Sequence, residues 1–369
     1  MSNLALGLMS GTSADSISAA LGSFKGHSFE LLGLINDSMS PEIQKKIRMG
    51  GDLSARDVSE LNVELGHLFA KAALHVLKKT HVPPSDVLCV GLAGQTIYHG
   101  PGDSRANTFQ IGDPAVVVEK TGIPTVSHFR EQDLAVGGQG APLIPYFDQY
   151  FYGHGPVRAF LNIGGMSNVT IVGKGIEEPL AFDIGPGNWL MDNAMLIISD
   201  GKENHDHNGR LAKKGQMDMA LISDMMEHPF FKMEPPKSTG AETFGSKFLE
   251  THFGKQFQKS PADILATLNY LTCISIQESF RSHVFNKFNI AEIIVSGGGV
   301  YNKTLLKKLE CLFAPIPVLS IEKWDIPAQA KEPLAFGFFG LRAMQNKVNH
   351  LPACTGASRA CVLGSITRP

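Results

Sequence analysis

Four short stretches combine glycine with a hydroxyl or a carboxylate: Ser10-Gly-Thr-Ser13, Ile163-Gly-Gly165, Asp183-Ile-Gly-Pro-Gly187 and Ser296-Gly-Gly-Gly299. Glycine lets backbone N–H groups close on an anion and hydroxyls add donors, so each loop has the makings of a phosphate cradle. Singly, each also reads as an ordinary turn. Four such loops, each following an apolar run, are explained together by a nucleotide held between two lobes. Neither Walker A nor the spaced GxGxxG fingerprint occurs, which removes the two commonest nucleotide folds. Asp183 follows the apolar run Leu180-Ala-Phe182 and precedes a glycine loop, the position of a base that orients an attacking hydroxyl or water in phosphoryl transfer. The same spacing suits an Asp that caps the next helix or braces the Gly185–Gly187 turn. Asp15 carries a similar pair of readings, holding Mg²⁺ through water or bracing the first turn.

Other polar groups point less sharply. Arg130 with Asp133 reads as a bidentate clamp on a sugar or as an ion pair between lobes. His128, before Phe129-Arg130, reads as a contact to a ligand or, more simply, as a satisfied structural histidine. His205-Asp-His-Asn-Gly209 resembles part of a Ca²⁺ loop but lacks the downstream bidentate Glu, so it reads as a solvated turn. No HxH-plus-carboxylate geometry can be placed among the 13 histidines, so no dedicated metal cage is expected.

These groups need rigid elements to position them. Strand, glycine turn and strand are expected over Leu4–Leu21 and again over Val157–Val172, each followed by a further glycine loop, which hints at a duplicated two-lobe architecture. Ser40-Pro41 and Ser54 with Asp57 read as helix starts, and the second helix carries the stripe Val58, Leu61, Leu65, Leu68, Ala72 and Val76 to about Lys79. Val87–Leu92 reads as a strand that breaks into a polar loop at Ala93-Gly-Gln-Thr96. Residues Asn107–Pro145, dense in Gly, Pro and Asp, read as a loop-rich interdomain passage that walls a cleft. Further helices are expected over Leu190–Ile198, from Ser260-Pro261 to Phe285, and in the aromatic stretch after Lys331-Glu-Pro333.

Composition bounds the function. In 369 residues, 33 Lys+Arg stand against 35 Asp+Glu, without a run of like charge, so nucleic acid and anionic membranes are not expected partners. No apolar stretch approaches the ~20 residues of a spanning helix, and the start, Met1-Ser-Asn3, lacks a signal peptide, so a cytoplasmic protein is expected. Five cysteines without a CxxC pair argue against a disulfide scaffold or structural zinc.

The ordered set Gly7-Leu-Met-Ser-Gly-Thr-Ser13, Gly94-Gln-Thr96, Gln110-Ile-Gly-Asp-Pro114, Phe129-Arg130, Gly137-Gly-Gln-Gly-Ala-Pro-Leu143, Leu161-Asn-Ile-Gly-Gly165, Phe182-Asp-Ile-Gly-Pro-Gly-Asn188, Pro235-Pro-Lys-Ser-Thr-Gly240, Ser296–Gly299 and Leu351-Pro352 with Thr355-Gly-Ala357 resembles the anhydro-N-acetylmuramic acid kinases over nearly the whole chain. The resemblance implies an α/β, two-lobed fold of the sugar-kinase and actin-like ATPase type, with ATP in the cleft; the lobes are expected at residues 1–128 plus 345–369 and 129–344. It implies that ATP, Mg²⁺ and water convert 1,6-anhydro-N-acetylmuramic acid to N-acetylmuramic acid 6-phosphate in cell-wall recycling, with Asp183 as base on the water. The nucleotide set is then Gly11, Thr12, Ser13, Ala14, Asp15, Ser16, Ile17, Ser18, Gly164, Gly165, Gly185, Gly187, Asn188, Gly297, Gly298 and Gly299. The sugar set is Gln95, Thr96, Arg130, Asp133, Gln139 and Glu332. A homodimer is implied by resemblance alone. The chain departs from the family pattern at Leu92-Ala93 (usually Ser-His), His128 (usually Asp), Ala241 (usually Arg) and Ala14–Ser18. Those departures thin the sugar side and keep two rivals open: a kinase of the same fold for another sugar, and an ATP-driven conformational switch without a small substrate.

Overall fold

Strands form where apolar residues run between glycine and proline breaks. The computed structural model describes residues 3–11, 14, 16–254, 257 and 260–369. Within them the strands are β1 (Leu4–Ser10), β2 (Ser16–Lys25), β3 (Ser28–Ser38), β4 (Val87–Gly100), β5 (Asn107–Ile111), β6 (Thr125–Ser127), β7 (Arg158–Ile163), β8 (Met166–Val172), β9 (Leu180–Pro186), β10 (Glu292–Ser296), β11 (Val318–Ser320) and β12 (Ser365–Thr367). The chain divides into two units, Met1–Tyr152 with Gln329–Pro369, and Gly153–Ala328.

The first unit carries a sheet of order β3-β2-β1-β4-β6-β12, with β5 paired to the distal half of β4. Strands β1, β2 and β3 form an antiparallel meander, whereas β4 runs parallel to β1, and β6 parallel to β4. The second unit has the order β9-β8-β7-β10-β11, again an antiparallel meander followed by two parallel strands. The topology is thus repeated where the residues are not: the duplication hinted at by two strand-turn-strand blocks is one of strand order.

Local chemistry starts the helices as their sequences require. The Ser54 hydroxyl accepts the Asp57 amide at 3.1 Å and opens the helix Ala55–Thr80, whose buried Leu61, Leu65, Phe69, Ala72 and Val76 face the first sheet's core. The helix Lys331–Met344 lies so close to the same sheet that a Cβ on Gly7 would fall 1.6 Å from the Pro333 carbonyl oxygen, and one on Gly91 1.9 Å from that of Phe336. Only glycine permits that approach.

The first unit reaches further along the chain than the sequence analysis placed it, to Tyr152, and resumes at Gln329. The physical reason is aromatic packing. Phe147 and Phe151 of the helix Ile144–Tyr152 and Phe338 of the helix Lys331–Met344 stack with Phe24 and Phe29 of the first sheet. A buried ion pair, Lys331 Nζ to Asp148 at 2.8 Å, ties the two helices together.

Two segments differ from their sequence reading. Residues 107–145 are not an open loop but a series of short elements: β5, the helix Pro114–Thr121 capped by Asp113, β6, and the helix Glu131–Ala135. Gly94-Gln-Thr96 lies inside β4, because pairing with β5 carries the strand on to Gly100. No helix among the described residues is long and apolar enough to cross a membrane.

Candidate active site

In the second unit three of the glycine loops meet. The β7–β8 turn holds Gly164 and Gly165; Gly187 and Asn188 lead from β9 into the helix Trp189–Ile198; Gly297 ends β10 before the single turn Gly298–Tyr301. The Gly187 amide donates to the Gly165 carbonyl at 2.9 Å, that of Asn188 to Gly164 at 2.8 Å, and the Asn188 side-chain amide to Ile163 at 3.1 Å. Gly297 has φ +80°, and a Cβ there would lie 2.6 Å from Asn162 Oδ1, so this position demands glycine. On Gly187 a Cβ would meet the Gly164 carbonyl oxygen at 2.4 Å, on Gly299 the Ile163 side chain at 2.5 Å, and on Gly185 the Phe231 ring at 2.7 Å. Gly164 and Gly298 differ: the nearest atoms a Cβ would meet are 3.6 and 3.5 Å away. At these two positions a Cβ would make only ordinary contacts, so the junction of the three loops is less crowded there.

Asp183 sits within β9 rather than at its end. Its strand continues to Pro186 through a bulge, in which Asn168 and Ser167 of β8 oppose Asp183 and Gly185 and Ile184 is the extra residue. Phe182 and Ile184 enter the core, and Asp183 points the other way. Because β9 is an edge strand, the Asp183 amide has no strand partner on that side; it donates instead to the Lys237 carbonyl at 3.0 Å. The same segment folds over the carboxylate, and Oδ2 accepts the Ser238 hydroxyl at 3.1 Å and the Thr239 amide at 3.0 Å. Among the described residues Oδ1 has no such donor. Burial pushes the Asp183 carboxyl up to about 6, with Glu242 adding to the rise; the two hydrogen bonds and Lys237 pull the other way. The Ser238–Thr239 cradle escaped sequence reasoning, which noticed Pro235–Gly240 only as part of a resemblance. The signal available was a hydroxyl pair in a proline-glycine segment, but nothing local says which carboxylate it covers.

The N-terminal glycine loop belongs to the first unit. Gly11 accepts the Ala14 amide at 3.0 Å; Ala14, at φ +55°, and Ile17 bury their side chains in the core. Ser16 and Ser18 are half-buried, and the Ser18 hydroxyl donates to Asn36 at 2.6 Å. Thr12, Ser13 and Asp15 lie outside the described residues. The buried Ser10 hydroxyl has no partner among the described residues.

The residues grouped with a sugar separate into two kinds. Thr96, Arg130, Gln139 and Glu332 are half-buried. Gln110 donates to Thr108 at 2.8 Å and Thr96 at 3.4 Å, His99 Nδ1 meets Thr108 at 2.9 Å, and Arg130 donates to the Gly140 carbonyl at 2.9 Å. Burial, then Arg130, pushes His99 down to about 4 against a bond to the Gln139 backbone, so its ring is neutral near pH 7. His99 and Gln110 extend the group beyond what the sequence singled out. Burial pulls the Arg130 guanidinium down, while Glu131, Glu332 and Asp133 hold it up. Asp133 and Gln95 are buried, and the Gln95 Oε1 has no partner among the described residues. Asp133 is fully buried, its Oδ1 bonded by His350 at 2.8 Å and Thr355 at 2.7 Å and its Oδ2 by the Gly140 amide at 2.7 Å, so it braces the fold. Gln95 turns to the opposite face of β4 from Thr96 and is buried, its amide donating to the Thr96 carbonyl at 3.2 Å.

The departures from the family pattern fall at dissimilar places. Leu92 is core of β4, His128 pairs with Glu131 at 2.8 Å, and Ala241 is exposed after the Asp183 cradle.

Comparison with known proteins adds a family. The model described as anhydro-N-acetylmuramic acid kinase matches residues 3–369. A protein of that name from Caldanaerobacter subterraneus subsp. tengcongensis is 38% identical over 382 residues, covering 99% of this chain and 96% of the relative. Its namesake in Salinibacter ruber is 37% identical over 388 residues, with the same coverage of 99% and 96%. Among solved structures, a ROK family glucokinase from Streptomyces griseus in complex with glucose and AMPPNP aligns at 11% identity and TM-score 0.42, covering 92% of this chain and 99% of its own.

Proposed function

The chain belongs to the anhydro-N-acetylmuramic acid kinase family, and from that premise we propose that it opens and phosphorylates 1,6-anhydro-N-acetylmuramic acid with ATP and water, yielding N-acetylmuramic acid 6-phosphate and ADP in cell-wall recycling. The observation that carries the chemistry is Asp183: a carboxylate with one oxygen held by Ser238 and Thr239, the other without a donor among the described residues, and an affinity for protons raised to about 6. A base works best when its pKa lies near the working pH. Ordinary carboxylates sit well below it. Near pH 7 Asp183 is ionised yet more basic than usual, and Oδ1 is the atom placed to accept a proton.

In this reading Asp183 Oδ1 takes a proton from water as the water oxygen bonds to the anomeric carbon. The bond from that carbon to the bridging oxygen breaks, and the bridging oxygen becomes the 6-phosphate ester oxygen. ATP supplies the γ-phosphoryl group and Mg²⁺ offsets its charge. Gly164, Gly165, Gly187, Asn188 and Gly297–Gly299 are proposed to line the nucleotide, with Gly165, Gly298 and Gly299 offering backbone N–H groups while the amides of Gly164, Gly187, Asn188 and Gly297 hold the loops together; Gly11–Ser18 is proposed to belong to the same nucleotide set. The Asn188 side chain, held to the Ile163 carbonyl, is the nearest neighbour of Gly298, 3.5 Å from where its Cβ would stand. No group of three His, Cys, Asp or Glu able to hold a metal occurs among the described residues, so Mg²⁺ is proposed to arrive with ATP. Thr96, Arg130, Gln139 and Glu332 are proposed to bind the sugar, and a cytoplasmic homodimer completes the reading.

The test is a sugar screen scored by ADP release. Anhydro-N-acetylmuramic acid should be the best acceptor, and reaction in ¹⁸O-water should place the label at the anomeric carbon. ADP release with a different sugar, without label at that carbon, identifies a kinase of other specificity; ADP release indifferent to any sugar identifies a switch.

A further inference from the structure

Polar side chains on one face of the β4–β5 hairpin form a chain with a direction. Thr96 opposes Gln110 in register and His99 opposes Thr108, so the four share that face. Gln110 is buried to 8% exposure, and its Nε2 donates to the Thr108 hydroxyl at 2.8 Å and, at a longer 3.4 Å, to Thr96. Its Oε1 has no partner among the described residues and, unlike the enclosed Oε1 of Gln95, stays open to solvent. The hydrogen bonds around an amide decide which of its ends carries the donors. His99 Nδ1 lies 2.9 Å from the Thr108 hydroxyl, which has a single proton to give. The far side of the His99 ring rests on the segment that carries Gln139: its Cε1 stands 3.4 Å from the place of a Gly140 Cβ, and the Gln139 backbone bonds the ring. That bond leaves the proton of the neutral ring on Nε2, so Nδ1 accepts from Thr108. Thr108 must then accept from Gln110, which turns the amide nitrogen inward and the carbonyl oxygen outward.

Resting on the reading of the acceptor as 1,6-anhydro-N-acetylmuramic acid, we propose that Gln110 is a further sugar-binding residue, its Oε1 accepting a hydrogen bond from the sugar, with Thr108 and His99 as positioning residues that orient the amide. A carbonyl oxygen held in one direction and left unpaired is a preorganised acceptor, which rewards a ligand N–H or O–H and discriminates against a ligand that lacks it. The neighbours agree with a sugar: Thr96 stands opposite on β4, and Arg130 is held to the Gly140 carbonyl at 2.9 Å beside the His99 ring. The proposed acceptor has an acetamido N–H and a 4-hydroxyl to donate, because its 1- and 6-oxygens form the bridge and its 3-oxygen carries the lactyl ether. Oε1 reads one of these donors.

The experiment measures kcat and KM for wild type, Gln110→Met, Thr108→Val and the double variant, using anhydro-N-acetylmuramic acid and two analogues, one lacking the acetamido group and one lacking the 4-hydroxyl. Gln110→Met should raise KM for the sugar about tenfold, while KM for ATP stays within a few-fold and the melting temperature falls little. Thr108→Val, which frees the amide to turn over, should raise the same KM several-fold alone and add nothing in Gln110→Met. One analogue should bind wild type and Gln110→Met equally, and it names the donor that Oε1 reads. An unchanged KM for the sugar in Gln110→Met overturns the proposal, as does an equal rise in KM for ATP or a penalty undiminished with both analogues. Additive effects of Gln110→Met and Thr108→Val overturn the orienting chain. If Gln110→Met does not fold, Gln110→Asn, which withdraws the oxygen by one methylene, reads the same KM. Wild type that ignores anhydro-N-acetylmuramic acid removes the substrate reading itself, whereas a working acceptor beside an unmoved KM refutes Gln110 alone.

Discussion

Asp133 and Asp183 are both enclosed carboxylates, one in each unit, and they are solvated by protein in opposite ways. At Asp133 burial raises the pKa, but bonds from His350, Thr355 and the Gly140 amide outweigh it and hold the carboxyl below its ordinary value. At Asp183 two donors converge on a single oxygen, burial wins, and the carboxyl rises to about 6. The ionised form is therefore comfortable in the first unit and frustrated in the second. A satisfied carboxylate braces a fold; one left half-satisfied is stored reactivity.

The comparison breaks first at Asp183→Asn. This change keeps shape but cannot accept a proton, and general-base removal typically costs ~10²–10⁴-fold in rate, about 3–5 kcal/mol of barrier. Steady-state kinetics should show that fall in kcat with KM for ATP within a few-fold. Turnover within tenfold of wild type sinks the base.

The reciprocal change, Asp133→Ala, should act on stability. It strands His350, the Thr355 hydroxyl and the Gly140 amide inside the first unit, at a cost of about 3–5 kcal/mol, while the folded fraction keeps its turnover. Urea unfolding measures it. The folded pKa of Asp133 is depressed, so its contribution is present above the ordinary carboxylate range and is lost as pH falls through the lowered value. Wild type and variant should accordingly converge in acid. A loss that is equal at all pH would contradict the depressed carboxyl.

Asp183 should show the opposite sign. Its folded pKa of about 6 exceeds the ordinary value, so its contribution is full below the unfolded pKa and is lost as pH rises through about 6. Asp183→Asn escapes that loss. The variant should gain roughly 2 kcal/mol on wild type between about pH 4 and about pH 8, a relative rise in melting temperature at the alkaline end. A constant difference across that range would show that Asp183 is not strained by ionisation.

The smallest effect concerns the glycine loops of the second unit. Gly298→Val meets only an ordinary contact, Asn188 Nδ2 at 3.5 Å from the new Cβ, so the melting temperature should hardly change while ATP affinity falls about tenfold, or ~1.4 kcal/mol. Gly297→Val, at φ +80° and 2.6 Å from Asn162 Oδ1, should destabilise the unit itself. Isothermal titration with ATP alongside thermal unfolding distinguishes them; unchanged affinity in folded Gly298→Val removes the loop from the nucleotide set.

Sequence reading reached the loops and helix starts because their physics is local. Ser40 and Ser54 cap through amides three residues on, and the residue types of the Gly164, Gly187 and Gly297 loops announce close backbone approach before any fold is known. It misjudged Gln95 and Thr96, since whether Ala93–Thr96 is a loop or the middle of β4 depends on β5 arriving to pair with it. It also took Arg130 and Asp133 as equivalent, although three residues apart one is half-buried and the other fully enclosed.

What the sequence determined by itself was therefore the repertoire: an α/β chain, two strand-turn-strand blocks, a set of anion-friendly glycine turns and a short list of carboxylates. Hydrogen bonding within a few residues and apolar periodicity specify those features, and neither needs a distant partner. The tertiary structure alone decided which carboxylate is braced and which is strained. Asp133 receives His350 and Thr355 from more than two hundred residues away, and Asp183 receives Ser238 and Thr239 from more than fifty. Charge state in a protein interior is set by desolvation and by donors gathered from remote segments, and those exist only once the chain has folded.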